Sequence, residues 1–344
     1  AYAINQGTLA NANYTITYTG ADLSITPKAI TVAADAQSKV YGDLNPSLTY
    51  TATGLINNDT LTGALSTSAG QFSNVGTYAI NQGTLANANY SITYTGADLS
   101  VTPKAITVAA DAQSKVYGDI NPSLTYLATG LVNNDTLSGA LSTNAVQFSG
   151  VGTYAINQGT LANANYTITY TGADLSVTPK AITVAADTQS RVYGDVNPAL
   201  TYVATGLVNN DTLSGGLSTS AGQFSGVGTY GINQGTLANA NYTITYTGAD
   251  LSITPKAITV AADAQSKVYG DLNPSLTYTA SGLVNNDTLS GALSTNAAQF
   301  SGVGTYAINQ GTLANANYTI TYTGADLSIT PKAITVAADA QTKI

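Results

Sequence analysis

Apolar and polar residues alternate along most of this chain. In residues 28–103, Ile30 and Val32 share one face of a Lys-Ala-Ile-Thr-Val-Ala-Ala-Asp run, and Leu48, Tyr50 and Ala52 alternate with Thr49 and Thr51. Tyr78 and Ile80 flank Ala79, Tyr90, Ile92 and Tyr94 alternate with Ser91, Thr93 and Thr95, and Leu99 and Val101 alternate with Ser100 and Thr102. A period of two, with Thr and Ser on the second face, predicts half-buried antiparallel strands. Thr, Tyr, Val and Ile also suit a pleated surface. Turn signals separate the runs at Tyr41-Gly42-Asp43, Asn45-Pro46, Asn57-Asn58-Asp59, Ser73-Asn74-Val75-Gly76, Asn87-Ala88-Asn89 and Thr95-Gly96-Ala97-Asp98. Six or seven short strands at this spacing predict a sandwich or barrel. The stretch from Asp59 to Ser66 is ambiguous. Asp59 stands where it would cap a helix carrying Leu61 and Leu65, but Gly63 and the Thr and Ser residues favour a strand or loop.

The pattern repeats. Lys-Ala-Ile-Thr-Val-Ala-Ala-Asp begins at Lys28, Lys104, Lys180, Lys256 and Lys332, at a constant interval with no insertion or deletion. This defines full modules at 28–103, 104–179, 180–255 and 256–331. Residues 1–27 correspond to the C-terminal part of a truncated module, and 332–344 to the first strand of a further one. The expectation is a stretch of a longer array, cut out of phase. Modules 28–103 and 256–331 differ at eight positions, so function has to be read per module. Leu, Ile, Val and Phe make up about a fifth of module 28–103, and its Tyr residues add apolar area with a polar tip. A core of that size predicts modest stability alone, with help from neighbouring modules.

The junction is informative. Leu99-Ser-Val-Thr-Pro103-Lys104-Ala-Ile-Thr-Val108 carries one module into the next without a spacer. Leu99 and Val101 are odd-numbered and Ile106 and Val108 even, so the inward face changes parity across Pro103. A strand that stops at Pro103 and restarts after a rotation satisfies both cores, because proline cannot continue a ladder. The expectation is an all-β tandem array of small antiparallel, immunoglobulin-like sandwiches, one per repeat of the length of 28–103, forming a rod or fibre.

Composition narrows the chemistry. The 344 residues contain no Cys, Met, Trp, His or Glu, and every one of the 18 acids is Asp. Imidazole and thiol catalysis, disulfides and His or Cys metal ligation are excluded. With 10 basic residues and a net charge of −8, nucleic-acid binding is not expected. No run of about 20 apolar residues predicts a membrane span, and no secretion signal is seen.

Read in order, Lys28-Ala-Ile-Thr-Val, Val40-Tyr-Gly-Asp-Leu-Asn-Pro-Ser-Leu-Thr-Tyr50, Thr53-Gly-Leu55, Asn58-Asp-Thr60, Asn74-Val-Gly-Thr-Tyr78, Asn89-Tyr-Ser-Ile-Thr-Tyr94 and Leu99-Ser-Val-Thr-Pro103 resemble the MBG repeat. This is the "mostly beta, glycine-rich" domain of the YGX type. The resemblance covers four full and two partial copies. It implies tandem modules of large bacterial surface proteins, including filamentous-haemagglutinin-like adhesins: secreted, displayed at the cell surface, and without defined catalytic residues.

Sharper readings attach to single residues. Each module carries four acids, in the first Asp35, Asp43, Asp59 and Asp98, and Asp98 closely precedes Asp111 of the next module. A junctional calcium is conceivable, but without a D-x-D-x-D pattern turn chemistry at Asp43 and Asp59 is favoured, and no cofactor is expected. Lys28 with Asn87 or Asn89 has the order of an intramolecular amide crosslink but lacks the usual Glu; a solvated Lys is favoured. Tyr90 and Tyr94 suit core packing better than a glycan platform, and Tyr78 suits a tyrosine corner. Lys28, Lys39 and the four Asp are expected to guard strand edges against self-association. An Asp pair for glycoside hydrolysis is not supported, and no enzyme is expected. The functions left are a structural stalk or extracellular fibre of an adhesin or matrix protein, and a multivalent module gripping host or matrix glycan or protein by avidity. Expected partners are other copies, other cells and matrix surfaces.

Overall fold

The computed structural model describes residues 1–342. The chain divides into two compact units, Ala1–Lys115 with Asp119–Val177 and Val116–Gly118 with Thr178–Ile344. The described residues contain no helix. A two-stranded pair, β1 (Tyr2–Ile4) and β2 (Ala21–Leu23), precedes the first full module. That module has seven strands: β3 (Lys28–Ala34), β4 (Gln37–Val40), β5 (Tyr50–Thr53), β6 (Ser66–Thr67), β7 (Gly76–Asn81), β8 (Tyr90–Thr95) and β9 (Ala97–Thr102). The same seven recur in each later module. The protein is an all-β tandem array. The stretch after Asp59 is a loop with one isolated bridge, Thr62 to Ala86, so the helix alternative fails there.

Each module builds two sheets, ordered β5-β3-β8 and β4-β9-β7-β6 in the first. The sheets are mixed, which corrects the antiparallel expectation. β3 runs parallel to β8, with Lys28 opposite Tyr90 and Ala33 opposite Thr95. β4 runs parallel to β9, with Gln37 opposite Leu99. The remaining pairs are antiparallel. β3 and β4 are two halves of one extended stretch that leaves the first sheet near Asp35; β8 and β9 make the same change at Gly96. Alternation has period two in both kinds of pair, so direction is invisible to it. The consequence is architectural. First and last strands run the same way, so the chain enters a module at one end and leaves at the other, and no return connection is needed before the next.

The core follows the alternation. Ile30, Val32, Leu85 and Tyr90 form one buried cluster, joined by Tyr50, Leu55, Ile92 and Tyr94. Ala69, Ile80 and Leu99 form a second, with Leu48 and Tyr78 against it, and Leu65 touches both. Two phenols tie the backbone together at their polar tips. The Tyr94 hydroxyl donates to the Ile80 carbonyl of the other sheet at 2.7 Å, and the Tyr78 hydroxyl donates to the Asn74 carbonyl four residues upstream at 2.8 Å. The second is the bond a tyrosine corner makes, and Tyr90 and Tyr94 pack into the first cluster rather than standing open as a glycan platform.

Lys39 departs from expectation. It does not guard an edge: it is 7% exposed, while its neighbour Val40 faces solvent. Its Nζ donates to the carbonyls of Asp43, Gly70 and Gln71 at 3.0, 2.6 and 3.0 Å. All three ammonium protons are thereby used, and two loops are pinned to β4. In module 180–255 Arg191 takes the place, donating to Asn197 Oδ1 and the Gly222 carbonyl.

The chain passes between modules as the parity change requires. β9 ends at Thr102 in one sheet, Pro103 interrupts the ladder, and β10 (Lys104–Ala110) begins in the three-stranded sheet of the next module. Leu99, Val101, Ile106 and Val108 are all buried. At the N-terminus the Tyr18 hydroxyl donates to the Ile4 carbonyl, as Tyr94 does to Ile80 in a full module. Residues 332–342, expected as a first strand, carry none; in full modules that strand pairs with the equivalents of β5 and β8, which follow it in sequence. Positions 343 and 344 lie outside the described residues.

Candidate functional site: the joint between modules

The turn after β4 projects a side chain forward. Tyr41 N donates to the Thr102 carbonyl at 2.9 Å, and Asp43 N donates to the Val40 carbonyl, closing a turn at Gly42. Gln71 Nε2 braces it on the Gly42 carbonyl at 2.9 Å. The following module presents a receptor. Asn133 and Asn134 both sit at positive φ, 57° and 58°, and Asp135 N donates to the Val132 carbonyl, as in a type I′ turn. Asn tolerates this left-handed conformation better than most residues. The turn aims the Asp135 carboxylate at the hydroxyl of Tyr166.

Within the first unit these parts meet. The Tyr41 and Tyr166 hydroxyls donate to the same Asp135 Oδ2, at 2.7 and 2.8 Å. Their rings stand edge to face, centroids 5.4 Å apart, a favoured aromatic geometry. Tyr41 is only 2% exposed. Asn165 adds polar ties, accepting from Val75 N at 3.0 Å and donating to Asn74 Oδ1 at 2.9 Å. Tyr41 and Val101 of one module share a buried cluster with Ile106, Val108, Leu161 and Tyr166 of the next. Gly42 has φ +86°, and a Cβ there would lie 2.9 Å from Val132 Cγ2, so both conformation and space call for glycine.

The second unit contains the arrangement twice. Tyr117 and Tyr242 donate to Asp211, and Tyr193 and Tyr318 to Asp287, with ring centroids 5.4 Å apart in each pair. Burial first, then hydrogen bonding to Asp287 against an opposing bond with Val284, pushes the Tyr318 phenol up to about 12. Burial, with Asp135 behind it, pushes Tyr41 upward also.

The structure distributes the remaining sequence-derived candidates. Asp59 does more than close its turn: it accepts from the Tyr90 hydroxyl at 2.7 Å. Asp35 accepts from Thr49 Oγ1 at 2.7 Å. Asp98 is an exposed strand residue opposite Ala79. No group of three or more acids gathers among the described residues. Lys28 meets Asn89 through backbone, its N donating to the Asn89 carbonyl at 2.9 Å. A cavity of about 310 Å³ opens beside Tyr90, lined by Ile56, Asn57, Asp59, Asn89, Lys28 and the Ile25–Pro27 segment. Sequence reasoning missed the tyrosine–aspartate joint. The signal available was the odd-numbered Lys39 and Tyr41 flanking Val40, which places a cation and a phenol inward and a valine outward.

A search of curated proteins finds no match. Among solved structures, Drosophila N-cadherin EC1-4 is similar at 9% identity with a TM-score of 0.23, the alignment covering 75% of this chain and 83% of that one. The family model for the MBG domain (YGX type) matches residues 30–100, 106–176, 182–252 and 258–328, and the chain belongs to that family.

Proposed function

We propose that this chain is a structural repeat region, a stalk or extracellular fibre, of a bacterial cell-surface adhesin or matrix protein. The observation that carries the reading is the linkerless joint. Pro103 is the only residue between β9 and β10, and Tyr41 is buried against the following module. Such a connection transmits load between modules and leaves no flexible spacer. Composition supports a passive role, since no side chain common in acid–base or thiol catalysis other than Asp, Lys and Tyr is present. An extracellular, oxidising setting suits a chain without Cys or Met. No helix among the described residues is long and apolar enough to cross a membrane.

One observation favours the avidity reading. Leu44, Ile120, Val196 and Leu272 occupy the same place in the four modules and are 72–76% exposed. A repeated apolar contact of this kind suits weak, multivalent binding. Solution scattering and glycan or protein binding, measured on chains of two, four and six modules, separate the two. A stalk gains a constant length per module and shows no saturable binding. A binder gains affinity steeply with copy number, and a length that fails to grow would overturn the stalk.

A further inference from the structure

Of the side chains that oxidants attack most readily, only one kind is present. Cys, Met, Trp and His are absent, and 23 Tyr remain. The joints set these in pairs. The Tyr41 and Tyr166 rings have centroids 5.4 Å apart, and Tyr117 with Tyr242 and Tyr193 with Tyr318 repeat that spacing. In each pair both hydroxyls donate to one carboxylate oxygen, at 2.7 to 2.8 Å. The hydroxyl-bearing ends of the two rings therefore converge. The ring carbons that couple in a dityrosine bond flank the hydroxyl-bearing carbon, so they belong to the ends brought together.

We propose that each joint is a site of oxidative coupling, where Tyr41 and Tyr166, and their counterparts, are joined by a dityrosine bond between consecutive modules. The oxidant is a diffusible one-electron acceptor, of the kind a peroxidase generates from hydrogen peroxide. Each phenol gives up one electron to it and one proton to water. A carbon–carbon bond then forms between two ring carbons ortho to the oxygens. The hydrogens those carbons carried move to the oxygens and restore both phenols. The chain loses two hydrogens in all, and two equivalents of oxidant are reduced.

The surroundings favour this step. Burial, with hydrogen bonding to Asp135 behind it, holds the Tyr41 phenol above its ordinary value, so its proton has to leave as the electron does. Asp135 Oδ2, 2.7 Å away, is a proton acceptor already in place. The rings are at packing distance, so coupling needs a tilt of one ring and no search for a partner. Tyr41 is only 2% exposed, but an electron can leave without direct contact. Phe72, 41% exposed, stands 6.3 Å from it between centroids, so one ring separates the pair from solvent there. The proposal rests on the joint and not on the stalk reading, and its failure would leave that reading standing.

Limited oxidation of the full chain by a photogenerated ruthenium(III) polypyridyl complex tests it. Dityrosine fluorescence should appear, with an intact mass short by two hydrogens per bond. Cleavage after Lys and Arg puts Tyr41 and Tyr166 on separate peptides, 40–104 and 116–180, and these should be recovered joined through the two tyrosines. Their yield should not change on dilution, whereas coupling between copies through open rings such as Tyr14, 75% exposed, should fall. Tyr41→Phe should remove this bond and leave the Tyr117–Tyr242 bond at its wild-type yield. Asp135→Asn, which keeps the shape and loses the carboxylate, should lower the yield at its own joint roughly tenfold or more. Oxidation of the wild-type chain in urea, where the pairing is lost, should lower all three joint bonds by a similar factor, which ties the coupling to the fold. A folded chain whose dityrosine lies only between copies overturns the proposal. So does a Tyr41–Tyr166 bond no more abundant in the folded chain than in urea.

Discussion

At the residue scale the structure turns on a few polar groups placed inside an apolar frame. Asp135 accepts two phenols from two modules. Removing it takes the acceptor from both hydroxyls, leaving Tyr166 only its longer bond to the Val132 carbonyl at 3.3 Å, and a buried donor without a partner costs about 1–3 kcal/mol. Asp135→Ala is therefore expected to destabilise by about 2–4 kcal/mol in urea unfolding, and Asp98→Asn, on an exposed carboxylate, to stay within about 0.5 kcal/mol. Lys39 works in the opposite sense, as a buried cation among three carbonyls. Lys39→Met removes the donor those carbonyls share, leaving Gly70 only its bond from Ser73 N, and should cost about 2–4 kcal/mol. Lys39→Arg should cost much less, because Arg191 already fills the place in another module; thermal unfolding of the two variants side by side checks the difference. Neither role was legible in the sequence. Asp at a turn and Lys beside a Val both have a commoner surface meaning, and only the third dimension brings Asp135 to Tyr41, 94 residues away.

At the scale of strands and turns, more could be read in advance. The alternation of Ile30 with Val32, Tyr90 with Ile92 and Leu99 with Val101 marks the inward faces the structure shows. The parity change marks the break at Pro103. Strand direction was not legible, because parallel and antiparallel pairs share one period. The Gly42 turn belongs to this scale, where backbone conformation and packing meet. At Gly42 an added methyl meets positive φ and the Val132 side chain together; at Gly270 it meets positive φ alone. Each substitution carries a strain of about 1–2 kcal/mol. Only Gly42→Ala should also loosen the joint, and a larger fall in stability for Gly42→Ala than for Gly270→Ala in urea unfolding is the expected outcome.

At the scale of the whole molecule, identical joints should give collective behaviour. The phenols at the joints are held above their ordinary 10, Tyr318 at about 12. The unfolded chain ionises its tyrosines from about pH 10, while the folded one keeps them protonated. Their stabilising contribution is thus complete below pH 10 and is lost as pH rises above 10 through their raised folded values, about 12 for Tyr318. Lys39 and Lys115, held below 10.5 by burial, impose an opposing slope up to that pH. Unfolding followed by phenolate absorbance should show a steep loss of stability above pH 10, delayed relative to free tyrosine, with Tyr318 ionising at about 12.

Because adjacent modules share a core, damage to one plug should be felt in its neighbour. Amide hydrogen exchange on the full-length Tyr41→Ala variant measures this, with Ile120 and Leu127 marking peptides of module 104–179. The joint predicts a loss of protection of roughly tenfold or more in that module, equivalent to about 1.4 kcal/mol of local stability. Protection changes confined to residues 28–103 would contradict the coupling of the modules.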